Sequence, residues 1–432
     1  MTGFQNGTGT DTTTTTAPAT EPLVSVDTHL AEILATIRPL APTQLGLSEA
    51  EGLVLAEDVT AASPLPSFDN SAMDGYAVVV ADIASATEEN PVSLPVVGEI
   101  AAGDTGAYAL NPGTAIRIMT GAMLPHGTEL VIPVEWTDGG TSRVAIGGKA
   151  DAGHAIRLAG GDAQAGDVLV PRGTRLKPMH IAAVAAAGRG TVTVHPRPRV
   201  VVLSTGNELA EPGAPIVPGR IWDSNSFMIA AAAREAGCLA YRQAGISDNA
   251  DEVLRTIEDQ LVRADLLVTT GGVSMGGEHD VVKSALRELG TMTFRKVAMQ
   301  PGMPQGFGTI APAGAAGTRE QSDNVPIITL PGNPVSAYVS FQIFVRPAIG
   351  ALQDDETIHL PVIKAELTGP LRSPPGRRSF LRGLLNGDRV TPLTGQGSHQ
   401  VATLGRANAL ISIPEWVVQM GIGEVAEVLV LP

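Results

Sequence analysis

The sequence predicts a multidomain α/β protein, in which a unit built on a mainly parallel sheet is joined to units made of short strands. Three observations lead there. From 198 to 350, strand-like and helix-like segments alternate, the pattern of βαβ units packed around a parallel sheet. On either side, at 42–197 and 356–432, apolar residues fall in short runs broken by Gly, Pro and Asp, as in β-rich domains. With 432 residues, 44% of them hydrophobic, the chain has material for several separate cores.

In chain order, residues 1–22 are rich in Thr, Gly and Pro, cannot repay the entropy of ordering, and are expected to form a disordered tail. Val26, Leu30, Ile33, Leu34 and Ile37 then recur at helical spacing with Pro39 just beyond, which predicts an amphipathic helix. Strands are expected at 76–80, 115–119 and 130–134 and a helix at 178–187, with turns at Gly160-Gly161-Asp162, Ala165-Gly166-Asp167 and Pro171-Arg172-Gly173. The alternating stretch predicts strands at 200–204, 239–246, 265–270 and 326–330, a further run at 295–299, and helices at 224–237, 249–263, 279–289 and 335–348. Within it, 311–324 is expected to be a surface loop. Runs at 362–367, 379–385, 409–413 and 424–431 predict a small C-terminal β-barrel or sandwich.

Composition excludes several classes. A net charge of −15 argues against a nucleic-acid footprint, which needs a basic face. The longest apolar stretches, such as 200–203 and 181–187, fall far short of the roughly 20 residues of a membrane span. The N-terminus has neither a basic segment nor an apolar core, so a cytoplasmic location is expected. A single cysteine, Cys238, excludes an internal disulfide and a thiolate zinc cluster, and is expected to be a buried small hydrophobe. No G-x-G-x-x-G follows a strand, Gly148-Lys149 lacks the rest of a P-loop, and H-E-x-x-H and G-x-S-x-G are absent. His279, beside Asp280, reads as a surface residue.

In an open α/β sheet, ligands bind beyond the carboxyl ends of the strands. Polar, glycine-containing turns cluster at such ends here: Ser204-Thr205-Gly206-Asn207-Glu208, Ser247-Asp248, Thr270-Gly271-Gly272-Val273-Ser274 and Leu330-Pro331-Gly332-Asn333-Pro334. Glycine allows close approach of a ligand, and a helix N-terminus favours an anion such as phosphate. Helix capping alone would account for Asn333, Ser224 and Asn249 taken singly, but not for four turns at one sheet edge. The carboxylates Glu208, Asp248 and Asp280 would repel a phosphate unless a cation bridged them, so the set points to Mg²⁺; capping is the alternative reading.

The segment Leu65-Pro66-Ser67-Phe68-Asp69-Asn70-Ser71-Ala72-Met73-Asp74-Gly75-Tyr76-Ala77 resembles the first signature of the MoeA and gephyrin E-domain family of molybdopterin molybdenumtransferases. Ile116-Arg117-Ile118-Met119-Thr120-Gly121-Ala122, then 204–209, 270–276 with Asp280, and 330–337 follow in that family's order, so that the resemblance covers about 23–432.

The resemblance implies four parts: a molybdopterin-binding α/β domain similar to MoaB and Mog (23–41 and 198–350), a hinge domain (42–60 and 166–197), a β-rich insertion (61–165) and a C-terminal β domain (351–432). It implies a homodimer that inserts molybdate into adenylylated molybdopterin and releases AMP. By the same resemblance, substrate would lie over Thr205, Gly206, Thr270, Gly271, Gly272, Ser274, Pro301 and the Pro331-Gly332-Asn333-Pro334 turn, and Asp248, Asp280 and Glu208 would hold the metal. Asp74, Arg157 and Asp162 would reach in across the dimer, while Arg382, Ser398 and Lys296 would serve molybdate. One departure stands out: Gln300-Pro301-Gly302-Met303-Pro304 replaces the K-P-G-K-P of many bacterial members. The alternative reading is a gephyrin-like dimeric scaffold that binds a short peptide of a membrane receptor or of a cytoskeletal or cell-division protein.

Overall fold

A computed structural model describes residues 22–246, 249–271, 283, 285–286, 292–311 and 324–432. The expected tail, most of the 279–289 helix and most of the 311–324 loop lie outside those residues, as do Asp248, Gly272, Ser274, His279 and Asp280. The described chain forms two compact units, one of residues 41–196 and the other of the remainder.

The second unit is built on a six-stranded sheet in the order Leu239–Ile246, Arg199–Thr205, Leu266–Thr270, Val325–Leu330, Pro304–Ile310, Thr293–Lys296. The first four strands are parallel, Pro304–Ile310 runs antiparallel to them, and Thr293–Lys296 pairs antiparallel with Pro304–Ile310. The inner parallel strands read as largely apolar runs because both faces are covered, with Val200, Val202 and Val268 packed on one side and Val201, Leu203 and Leu267 on the other, while the edge strand Leu239–Ile246 is partly exposed and polar. Sequence reasoning missed Pro304–Ile310, whose Gly306 has Thr329 Oγ1 and the Phe294 ring where a Cβ would stand. Glycine there marks close packing rather than a loop.

Helix Val26–Ala35 starts at Ser25, whose hydroxyl accepts from the Thr28 amide at 3.1 Å, and Asp27 pairs with Arg378 through two bonds of 2.9 Å. Helix Ala250–Leu261 is capped by Asn249 as expected, through the Glu252 amide, and buries Val253, Ile257 and Leu261. Ser224, by contrast, makes no capping bond; Asp223 accepts from Ser226 N and Oγ at 3.0 and 2.6 Å instead. The helical segment Pro334–Gln353 is long and apolar enough to cross a membrane, but it is buried as the core helix of this unit. It widens to a π-turn at Phe341–Val345, where Pro347 lacks the N–H that an α-helix would use.

Of the two expected C-terminal architectures, the barrel is the one present. Strands Arg378–Asn386, Arg389–Pro392, Val362–Leu367, Val425–Val430 and Ala409–Ile413 pair in that order, and the last returns to the first to close the ring. Cys238 is buried against the α/β core, as expected.

The unit of 41–196 holds a five-stranded sheet, ordered Leu130–Pro133, Gly75–Val78, Ala115–Ile118, Val92–Ile100, Arg143–Ile146. A separate small core gathers Leu55, Val59, Val170, Val184 and Val194. Gly75 in the first signature motif is a packing glycine: a Cβ there would lie 2.0 Å from the Ile132 carbonyl oxygen. Gly75→Ala is therefore expected to destabilise this unit by about 2–3 kcal/mol, the cost of overpacking; an unchanged urea midpoint for its unfolding transition would refute that reading.

Candidate active site

At the carboxyl ends of the parallel strands lies a cavity of about 380 Å³. The turn after Arg199–Thr205 contributes Ser204, Thr205 and Glu208; the turn after Leu266–Thr270 contributes Thr270 and Gly271; and the turn after Val325–Leu330 contributes Gly332, Asn333 and Pro334. Local backbone chemistry builds these walls. Gly271 has a φ of +90°, and an added Cβ would sit 3.1 Å from the Thr205 carbonyl oxygen. Its amide donates to Leu330 O at 3.1 Å, and Gly332 packs against its Cα. Glycine is required because the two turns meet backbone to backbone.

Several buried oxygens at this edge have no hydrogen-bond partner among the described residues. The Ser204, Thr205 and Thr270 hydroxyls and the Asn225 Oδ1 atom are buried and make no hydrogen bond among the described residues. Asn225 Nδ2 meanwhile donates to Gly332 O at 2.6 Å, so the amide is fixed with its oxygen unpaired. Other buried side-chain atoms, at Thr269, Gln305 and Thr329 for example, are also unpaired, but these four share one cavity, where a polar ligand would satisfy them. Asn333 makes no capping bond, and among the described residues the Glu208 carboxylate has no hydrogen-bond or ion-pair partner.

The structure thus brings Thr205, Glu208, Thr270, Gly271, Gly332, Asn333 and Pro334 together on one cavity. Gly206 and Pro331 flank it in sequence without lining it. Asp248, Gly272, Ser274 and Asp280 fall outside the described residues.

Ser398 reaches the same edge through its backbone, where Val335 N donates to Ser398 O at 3.0 Å. Arg382 is 1% exposed and turned inward. Its guanidinium donates to Gly395 O (2.9 Å), Gly397 O and Gln400 O (both 3.2 Å) and Gln396 Oε1 (3.3 Å). Burial pulls its pKa below the usual arginine value. Arg382 is thus the strut of the 395–400 loop. That loop delivers His399 and Val401 to the cavity wall.

Lys296 and Pro301 do not line the cavity. The 300–304 turn packs on helix Pro334–Ser340, where Gln305 Nε2 donates to Gly302 O and Ser340 Oγ, both at 2.6 Å. Gln300, where the resemblance led to the expectation of lysine, accepts from Arg377 at 3.3 Å, so a cation stands beside that position.

In the other unit, Asp74 Oδ1 accepts from both the amide and the hydroxyl of Thr120 at 2.7 Å. These bonds, backbone first, hold the carboxyl below the usual range, with Arg117 adding to the effect. Arg157 pairs in register with Asn70 and donates to Ala72 O at 3.5 Å, and the Asp162 amide donates to Leu65 O. All three therefore border the 65–75 motif.

Sequence reasoning missed Thr120, Ile221, Trp222, Asn225 and His399. Thr120 lies within the 116–122 motif and His399 directly follows Ser398, so both were one position from being found. Ile221, Trp222 and Asn225 follow a turn-rich segment and carried no sequence signal.

Known proteins resemble this chain along most of its length. Residues 24–188 match the family model described as MoeA N-terminal region (domain I and II), 201–351 the probable molybdopterin binding domain, and 364–431 the MoeA C-terminal region (domain IV). The chain is 43% identical over 407 residues to molybdopterin molybdenumtransferase 2 of Mycobacterium tuberculosis, covering 92% of this chain and 97% of the relative. It is 36% identical to the molybdopterin molybdenumtransferase of Bacillus subtilis, covering 83% of each. A crystal structure of a molybdopterin biosynthesis MoeA protein from Pyrococcus horikosii superimposes with a TM-score of 0.79 at 30% identity, covering 95% of this chain and 99% of that one.

Proposed function

We infer the activity from one premise: the chain belongs to the MoeA family of molybdopterin molybdenumtransferases. It is a transferase of molybdenum cofactor biosynthesis. We propose that it inserts molybdate into adenylylated molybdopterin and releases AMP. The observation that carries this reading to particular residues is the ring of unpaired buried oxygens at Ser204, Thr205, Thr270 and Asn225. The scaffold reading gains no support from these relatives, which are all transferases.

The unpaired groups described at this edge are oxygens, one carboxylate beside hydroxyls and a side-chain amide oxygen, a set that suits a hard cation, with the His399 imidazole on the same wall. In the proposal Glu208, with Asp248 and Asp280, holds Mg²⁺, which when bound would polarise the phosphoanhydride of the substrate. Thr205, Thr270 and Asn225 orient the substrate's polar groups, and the glycine turns at Gly271 and Gly332 let its backbone-facing side come close. Arg382 holds the 395–400 loop, with Ser398, in place. The working form is proposed to be a cytoplasmic homodimer in which Asp74, Arg157 and Asp162 serve the partner's cavity.

Incubating the full-length protein with adenylylated molybdopterin, molybdate and Mg²⁺ is expected to release AMP, with the rate falling to background when either molybdate or Mg²⁺ is withheld. AMP release independent of molybdate, or none at all, would overturn the proposed activity.

A further inference from the structure

Beside the unpaired oxygens, the cavity wall carries one large aromatic side chain among the described residues, Trp222. Its placement is built rather than incidental. Strand Ile221–Trp222 pairs in parallel with Leu209–Ala210, and the next residue, Asp223, is buried, donates its amide to Ala210 O and caps the following helix. Arg242 reinforces that anchor, donating to Ser226 Oγ at 2.9 Å and lying 3.9 Å from Asp223 Oδ2. The far end of the ring is held as well, since Trp222 Nε1 donates to Ala214 O at 3.1 Å. Yet the side chain remains 50% exposed. A rigidly held indole left half in solvent at the rim of a polar cavity offers an unused π-face.

We propose that Trp222 is the stacking platform for a planar heteroaromatic ring of the substrate, and so a residue that sets specificity. The inference rests on the activity proposed above, whose substrate carries two such rings, a pterin and an adenine. The cavity's polar donors fix the phosphate and sugar end, while the indole contributes dispersion and quadrupole attraction to whichever ring overlies it. Stacking of this kind tolerates Phe or Tyr and fails with Ala.

The chain has three tryptophans, and a Trp136→Phe/Trp416→Phe protein leaves Trp222 as the sole one. Titrating it with AMP and, separately, with 6-hydroxymethylpterin is expected to quench its emission with one of the two rings, which identifies the ring that stacks. By calorimetry, Trp222→Ala should bind that compound on the order of tenfold more weakly than the parent. Trp222→Phe should stay within about threefold, and pyrophosphate binding should be the same in all three. Binding of a ring without quenching, or a Trp222→Ala protein that binds as tightly as the parent, overturns the stacking role and leaves the proposed activity standing. Equal weakening toward pyrophosphate and ring would show Trp222 to be structural, which also overturns stacking without touching the activity. If the parent binds neither compound, the reading of the cavity itself falls.

Discussion

Replacing Asp74 by asparagine is expected to slow molybdate-dependent AMP release by about 100- to 1000-fold, the scale of removing one pre-organised electrostatic group from an active site. The hypothesis comes from the motif position and from the geometry around the carboxylate. Both Thr120 donors converge on Oδ1 at 2.7 Å, and no bond to Oδ2 is present among the described residues. The bonded oxygen fixes the group and the other is free to meet a ligand. Because those bonds lower the pKa, the carboxylate is ionised throughout the neutral range. An asparagine keeps an oxygen to accept both bonds, so the fold of the motif survives while the charge is lost. Thr120→Val, which removes the hydroxyl and keeps the amide, should show a smaller loss, roughly tenfold. The check is AMP release by the three purified proteins under identical conditions, with urea unfolding as the control for folding. A rate for Asp74→Asn within threefold of the parent would remove Asp74 from the machinery.

What the sequence made legible was local. The turns at Gly271 and Gly332 were readable as turns after apolar strands, but the sequence reading gave their glycines to close approach of a ligand, whereas the structure shows the two turns meeting backbone to backbone. The Asn249 cap was readable because an asparagine before an amphipathic helix can accept from its first amides, although Ser224 and Asn333, offered on the same signal, make no such bond. Ring closure of the C-terminal barrel was not, since it depends on Arg378–Asn386 pairing with both Arg389–Pro392 and Ala409–Ile413, a non-local choice that alternation cannot express. Arg382 shows the limit from another side. Its motif suggested an anion ligand, whereas its donors are directed to carbonyls of the 395–400 loop, and only coordinates reveal which way a guanidinium turns. Trp222 lay hidden because its neighbours in sequence are turn residues; its place on the cavity wall comes from the parallel pairing with Leu209–Ala210.

Acidification from pH 7 to pH 4.5 is expected to remove about 2–3 kcal/mol of stability from the unit containing helix Val26–Ala35 through one residue, His29. His29 shares the buried face of that helix with Val26 and Ile33 and is fully buried, edge-on to the Phe307 and Phe344 rings at 5.3 and 4.9 Å. Neither ring nitrogen has a hydrogen-bond partner among the described residues. Burial, and to a lesser extent the nearby Arg295, pushes its pKa from 6.5 down to about 4, with Glu32 acting weakly in the other direction. The imidazole is therefore neutral in the folded protein and binds its proton more readily once unfolded. Proton uptake by the unfolded state begins to cost stability as the pH falls through about 6.5, and the loss levels off below about 4. Carboxylates with lowered values, such as Asp27, lose stability in acid too, so the parent's pH dependence alone does not isolate the effect. His29→Leu does: an apolar side chain of similar size cannot titrate and leaves no unpaired nitrogen in the core. At pH 7 the variant should be at least as stable as the parent. Between pH 7 and 4.5 it should lose about 2–3 kcal/mol less in urea unfolding, and parallel losses in the two proteins would mean that His29 is protonated, or solvated, in the native state.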